Sequence, residues 1–63
     1  RENARRSLVA LSNIEKGTII SKKHLTWKRP AHGISPRDLG IVIGKVARED
    51  IDEDTPMQWN MLS

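Results

Sequence analysis

The chain has 63 residues, which is enough for one domain. Its formal net charge is +3, from 11 basic and 8 acidic residues, and it contains no cysteine. This composition excludes disulfides and thiolate chemistry and favours a reducing, cytoplasmic setting. It gives little support to nucleic-acid binding, because the basic excess is mild.

The first six residues are polar, and the chain starts at Arg1 without a methionine. We expect residues 1–6 to be a linker from a preceding domain, and residues 7–63 to form one small domain of a longer protein. No apolar run approaches the roughly 20 residues that span a bilayer, so no membrane partner is expected. The Ile, Leu and Val residues supply a single core, which leaves no room for a deep, enclosed active site.

The first half of the chain predicts two short strands around a tight turn, followed by a helical turn. Ser7–Ala10 and Thr18–Ile20 are β-favouring, and Lys16–Gly17 between them has turn chemistry. Ser21–Leu25 predicts one helical turn with its serine as the N-cap. Thr26–Arg29 then returns to extended structure.

A second short helix is predicted near the middle of the chain. Ser35 and Pro36 suit the N-cap and the first helical position, and Asp38 three residues after the serine approaches a capping box. The helix should end between residues 40 and 43, because Gly44 follows.

The last third predicts extended segments at 45–47 and 55–57, a turn at Glu53–Asp54 and a final turn at 60–62. No periodic helix of ordinary length is present. The predicted fold class is therefore mainly β with short one-turn helices.

Two stretches of the chain match each other when the sequence is shifted by 37 positions. They are ALSNIEKGT at 10–18 and AREDIDEDT at 47–55. The matched pairs are Ala10 with Ala47, Ile14 with Ile51, Gly17 with Asp54, Thr18 with Thr55 and Leu25 with Leu62. The repeat predicts two hairpin-like units related by a pseudo-twofold axis.

The run Lys28–Pro36 holds two prolines, a glycine, a lysine and an arginine. Proline fixes φ and removes a donor, while glycine permits unusual backbone angles, so this run predicts a shaped loop. Arg29 is the first candidate for function, because loops on rigid scaffolds carry much of binding chemistry.

Five motifs, taken in order, point to one family. They are RRSLVA at 5–10, IEKGT at 14–18, KRP and GISP within 28–36, IGK at 43–45 and WNML at 59–62. Together they resemble the C-terminal antifreeze-like (SAF) domain of bacterial sialic acid synthases. The resemblance covers nearly the whole chain and implies the β-clip fold of type III antifreeze proteins.

The resemblance also implies a role at another domain's active site. Family members join phosphoenolpyruvate to N-acetylmannosamine or a related sugar in a TIM barrel that uses a divalent metal, commonly Mn or Mg. The antifreeze-like domain is swapped across a homodimer, covers the partner's barrel and brings an arginine to the acceptor sugar. Arg29 matches that arginine. The parent protein would thus be the enzyme, while this fragment would carry no catalytic residue and bind no cofactor.

Three further residues are weaker candidates for substrate contact. His32 shares the loop with Arg29, and Arg5 and Arg6 lie where the linker meets the first strand. Simple solvent exposure is the competing interpretation for all three. Trp27 and Trp59 suit stacking on a sugar, although packing in a core or interface is the interpretation we favour.

Metal and nucleotide sites find little support. Two histidines without cysteine argue against zinc. The acidic run at 49–54 has aspartates at EF-hand spacing, but Thr55 stands where glycine is required and Met61 replaces the closing glutamate. We interpret the run as a solvated turn. Lys45 follows Gly44 without the glycine-rich loop of a phosphate site.

Three alternative functions remain at this point. One is an SAF module of another parent protein, such as a hydratase or a periplasmic assembly factor. Another is a free-standing ice-binding domain, which the charges within residues 15–24 disfavour because ice-binding surfaces of the family are flat and uncharged. The third is a nucleic-acid module, whose signature would be salt-sensitive binding.

Overall fold

The computed structural model describes residues 5–30 and 32–63. Strand β1 (Ser7–Ala10) pairs antiparallel with β2 (Leu25–Lys28), and the register aligns Ser7 with Lys28 and Ala10 with Leu25. Both faces of β1 are buried, while β2 is buried only at its first residue. The first strand forms where the β-favouring residues predict it. It runs through the core, while the second strand lies at the surface.

Four short helical segments complete the regular structure of the described residues. A 3₁₀ turn covers Lys22–His24, a second covers Pro36–Asp38, and a third covers Trp59–Met61. Helix α1 (Leu39–Val42) follows the second turn directly. The predicted fold class, mainly β with short one-turn helices, is confirmed.

The predicted repeat is confirmed by the hydrogen bonds between its halves. Ile14 and Ile51, which coincide under the shift, pair with each other through two backbone bonds of 2.7 and 2.8 Å. The amide of Ala10 donates to the carbonyl of Thr55 at 3.0 Å, and the equivalent amide of Ala47 donates to Thr18 at 2.9 Å. Each of these hydrogen bonds thus has an equivalent bond in the other repeat, as a pseudo-twofold axis requires.

Side chains near this axis repeat the same relation. Asp50 Oδ1 accepts the amide of Lys16 at 2.8 Å, and Asn13 Oδ1 accepts the amide of Glu53 at 2.7 Å. Both turns that follow use left-handed backbone, at Gly17 (φ 91°) and at Asp54 (φ 69°). Glycine and aspartate are among the residues that tolerate this region, which is why the turn positions were visible in the sequence.

Some local predictions need correction. Thr18–Ile20 forms a single bridge, from Ile19 to Val46, rather than a strand. Ser21 is the N-cap of the first 3₁₀ turn, but its amide donates to the Nδ1 atom of His24 at 2.9 Å, so the histidine ring supplies the reach-back contact. This bond gives His24 a structural role.

The second helix starts and ends where the sequence predicts, and Ser35 is its N-cap as predicted, but the capping-box contact expected from Asp38 is not formed. Ser35 Oγ accepts the amide of Arg37 at 3.3 Å, and Pro36 is the first helical residue. No capping bond involves the side chain of Asp38. Helix α1 ends at Val42, and Gly44 follows with φ of 96°.

One contiguous apolar core holds both halves together. Its buried members are Leu8, Ala10, Ile14, Ile20, Leu25, Ile34, Val42, Ala47, Ile51, Met57 and Leu62. Most are drawn from equivalent positions of the two repeats, so each unit buries its apolar side chains against the other. Within residues 5–30 and 32–63, no helix has the length and apolar character needed to cross a membrane.

Candidate functional site

The loop that carries Arg29 leaves the open end of the β1–β2 ladder. Ser7 and Lys28 are the last paired residues, so Arg6 and Arg29 are the next positions outward on the two strands. Both arginines are exposed, and so is Arg5. The structure therefore brings these sequence-predicted candidates to one end of the molecule.

Hydrogen bonds from β1 and from the second half of the chain hold the loop in place. The Arg29–Pro30 peptide bond is cis, and Ser7 Oγ, which is fully buried, donates to the carbonyl of Pro30 at 3.4 Å. On the far side, Gln58 Nε2 donates to the carbonyl of His32 at 2.7 Å. His32 itself is exposed, as Arg29 is. The loop is thus attached at both ends and presents its charged side chains to solvent.

The far end of the loop joins the core through Ile34. Its amide donates to Met57 and its carbonyl accepts from Leu8, each at 2.8 Å. A Cβ atom on the preceding residue, Gly33, would collide with the backbone carbonyl of Met57. Only glycine allows the two backbone segments to approach so closely, which gives a structural reason for the glycine of the GISP motif.

The neighbouring cations Lys28 and Arg29 have different surroundings. Lys28 Nζ pairs with the carboxylate of Asp54, and both side chains are more than half exposed. In the part of the chain that the structure describes, this is the one ion pair. The guanidinium of Arg29 therefore has no carboxylate of the described residues within pairing distance, which leaves its donors available to a ligand.

The two tryptophans were expected to pack in a core or an interface, and the structure contradicts the core alternative. Trp27 is 45% exposed and Trp59 is 46% exposed. Burial of eleven aliphatic and Met side chains is enough to fill the core of so small a domain. Both tryptophans are therefore exposed at the surface.

The acidic positions do not form an evident metal site. A shallow groove on the pseudo-twofold axis is lined by residues 13–15 and 50–52, and Asp50 there accepts the amide of Lys16. Across residues 5–30 and 32–63, no three His, Asp or Glu side chains form a group suited to holding a metal ion.

Sequence reasoning missed Gln58 and Met57 as supports of the loop. They lie 26 and 23 residues from their partners His32 and Ile34, so no local sequence pattern predicts these contacts. The predicted linker at 1–6 stays a prediction, because residues 1–4 lie outside the described residues.

The fold and the loop define a small, mainly β domain of the antifreeze-protein-like type. The chain belongs to the SAF domain family, whose model matches residues 5–63. The recognition made from the five sequence motifs is confirmed.

Two curated proteins are similar in sequence. The N,N'-diacetyllegionaminic acid synthase of Campylobacter jejuni is 48% identical over 50 residues, which are 79% of this chain and 15% of that protein. An uncharacterised protein of Methanocaldococcus jannaschii is 39% identical over 59 residues, which are 94% of this chain and 18% of that protein. The chain thus spans less than a fifth of the length of either relative.

Two solved structures have the same fold. The antifreeze protein like domain of human N-acetylneuraminic acid phosphate synthase superposes with a TM-score of 0.89 at 28% identity, covering 97% of this chain and 78% of that one. The flagellar protein FlgA of Thermotoga maritima gives a TM-score of 0.79 at 25% identity, covering 94% and 24%. The fold therefore serves parents of different kinds.

Proposed function

We propose that the chain is the antifreeze-like domain of a sialic-acid-type synthase, and that it closes over the active site of a partner subunit. There, phosphoenolpyruvate would be condensed with N-acetylmannosamine or a related acceptor sugar. The observation that carries the proposal is an exposed arginine, Arg29, on a loop that is hydrogen-bonded to Ser7 of β1 and to Gln58 of the second repeat. The 48% identity to a legionaminic acid synthase supports it.

In this proposal Arg29 binds the acceptor sugar. A guanidinium presents several donors in a planar fork, which suits the hydroxyl and carbonyl oxygens of a sugar. The bonds from Ser7 and Gln58 hold the loop backbone at Pro30 and His32, just after Arg29, and the β1–β2 pairing holds Lys28 just before it. This preorganisation lowers the entropy that binding would otherwise lose.

The chemistry of condensation belongs to the rest of the parent protein. The chain covers only 15% of the legionaminic acid synthase, and we assign the catalytic barrel, with its Mn or Mg, to the remainder. The parent would be a cytoplasmic homodimer in which each SAF domain covers the barrel of the other subunit. Closure of that kind excludes water and strengthens electrostatic contacts with the substrate.

The test is the Arg29→Ala variant in the full-length protein that contains this sequence. Condensation is measured with phosphoenolpyruvate and three acceptors: N-acetylmannosamine, its 6-phosphate, and a 2,4-diacetamido sugar. Loss of a charged hydrogen bond should lower kcat/KM for the acceptor by about 10- to 100-fold. Unchanged kinetics would remove Arg29 from the site.

Arg48→Ala provides the matched control. Arg48 is also exposed, but it lies in the second repeat, away from the loop sequence. Arg48→Ala should leave kcat/KM for the acceptor sugar unchanged. Equal effects of the two variants would indicate a general charge effect instead of a contact.

An SAF module of another parent protein is the alternative, and the FlgA likeness favours it. Full-length protein that condenses none of the three acceptors would favour this alternative. Ice binding is disfavoured by the exposed charges Glu15, Lys16, Lys22 and Lys23, and thermal hysteresis at millimolar concentration would revive it.

A further inference from the structure

The only two aromatic residues of the chain, Trp27 and Trp59, both adjoin the Arg29 loop. The chain has no Phe or Tyr. Trp27 lies on β2, two residues before Arg29. Trp59 follows Gln58, whose side chain bonds to the loop at His32. Both tryptophans are exposed, but only Trp27 lies on the same strand end from which the Arg29 loop leaves.

Trp27 has the better position for a ligand held by Arg29. Side chains alternate along a strand, so Trp27 lies on the face of β2 opposite to Lys28. Its cross-strand partner is Leu8, which is fully buried, while 45% of Trp27 stays exposed. The ion pair with Asp54 holds Lys28 on the other face.

We propose that the indole of Trp27 contacts the acetamido group of the acceptor sugar, in the site that contains Arg29. The inference rests on the proposed function. An acetamido group has an apolar methyl and a carbonyl oxygen. The methyl and adjacent C–H groups would pack on the indole, while the guanidinium donates to sugar oxygens. Binding sites for small molecules commonly combine an aromatic surface with a few such polar groups.

The relatives support this choice of ligand chemistry. The C. jejuni relative is named for a product with two acetyl groups, and the human one for an N-acetylated product. A rigid aromatic surface also suits the purpose, because an indole side chain has only two rotatable bonds and so loses little conformational freedom on binding.

The experiment compares Trp27→Leu with Trp27→Phe in the full-length protein. The acceptor is the acetamido sugar that the unmodified protein condenses best, and KM is measured separately for this sugar and for phosphoenolpyruvate. Leucine should raise the KM of the sugar about 10-fold, and leave that of phosphoenolpyruvate unchanged. Phenylalanine keeps an aromatic face and should stay within about 3-fold of the unmodified protein.

Trp59→Leu is the matched control, because Trp59 is equally exposed. It should leave the KM of the sugar unchanged. The inference is overturned if Trp27→Leu leaves the KM of the sugar unchanged, or if Trp27→Phe raises this KM as much as Trp27→Leu does. It is also overturned if Trp59→Leu raises the KM of the sugar by the same factor. Should Trp27→Leu fail to fold by circular dichroism, the unbranched Trp27→Met replaces it with the same expectation.

The two proposals fail in different ways. A strong effect of Arg29→Ala with no effect at Trp27 contradicts only the role of the indole. Absence of condensation by the unmodified protein contradicts the proposed function and this inference together.

Discussion

The two repeats and the segment that connects them follow different rules. The repeats, residues 8–25 and 45–62, bond to each other through equivalent pairs of backbone hydrogen bonds. The connection, residues 29–43, has no counterpart within the chain and contains the cis bond, the second 3₁₀ turn and α1. It also carries Arg29 and His32.

The difference separates stability from recognition. The repeats form most of the core, so their apolar positions have little freedom to vary. The connection is anchored by a few bonds, from Ser7, Gln58 and Met57, and by the buried side chains of Ile34 and Val42. Its charged residues Arg29 and Arg37, together with His32, are exposed. A symmetric scaffold thus presents one asymmetric loop, a division that is common in binding proteins.

Shortening the isoleucine side chains at the pseudo-twofold axis should have the largest effect on stability. Ile14→Ala and Ile51→Ala should each lower the free energy of unfolding by about 2–5 kcal/mol, because each leaves a cavity at a buried position. The two losses should be similar in size and not additive, since the residues pair directly. Urea denaturation of the 63-residue chain, followed by circular dichroism, measures both.

Ile→Val at the same positions provides the control and should cost about 0.5–1.5 kcal/mol. A loss confined to one of the two isoleucines would show that the repeats are unequal in energy in spite of their equivalent bonds.

The second-largest loss of stability is expected at Gly33, where the connection passes close to the backbone of the core. Gly33→Ala places a methyl group against the carbonyl of Met57, and the displaced backbone should lower stability by about 1–3 kcal/mol. Urea denaturation gives the value.

The matched control is Gly40→Ala, on α1 of the same connection. Gly40 has open space where a Cβ would stand, so alanine there should raise stability by about 0.5–1 kcal/mol. If both variants behave alike, the contact between Gly33 and Met57 does not constrain the loop.

The smallest effect is expected at a repeat turn. Gly17 has left-handed backbone and no neighbour near its Cβ position, so Gly17→Ala should cost about 1–2 kcal/mol from backbone strain alone. Gly17→Asn should cost less, because asparagine visits this region more readily. Thermal unfolding compares the two, and equal melting temperatures would show that the backbone angle is not the cause.

The parts of the fold that local chemistry specifies were predictable. The left-handed turns at Gly17 and Asp54, the Ser35–Pro36 helix start and β1 all depend on residues adjacent in sequence. The strand predicted at 18–20 was wrong because its bonding depends on distant residues, and only Ile19 meets a partner in bridge geometry. Trp27 and Trp59 were assigned to packing, since a hydrophobic residue type alone does not reveal its burial.

By itself, the sequence determined the family, the repeat and the loop that carries Arg29, because each is written in residue types at particular spacings. Only the tertiary structure decided which side chains face a ligand. It paired Lys28 with Asp54, anchored the loop through Gln58 and left the indole of Trp27 exposed beside Arg29. Those outcomes depend on contacts between residues more than twenty positions apart, which the packing of the two repeats creates and no local pattern encodes.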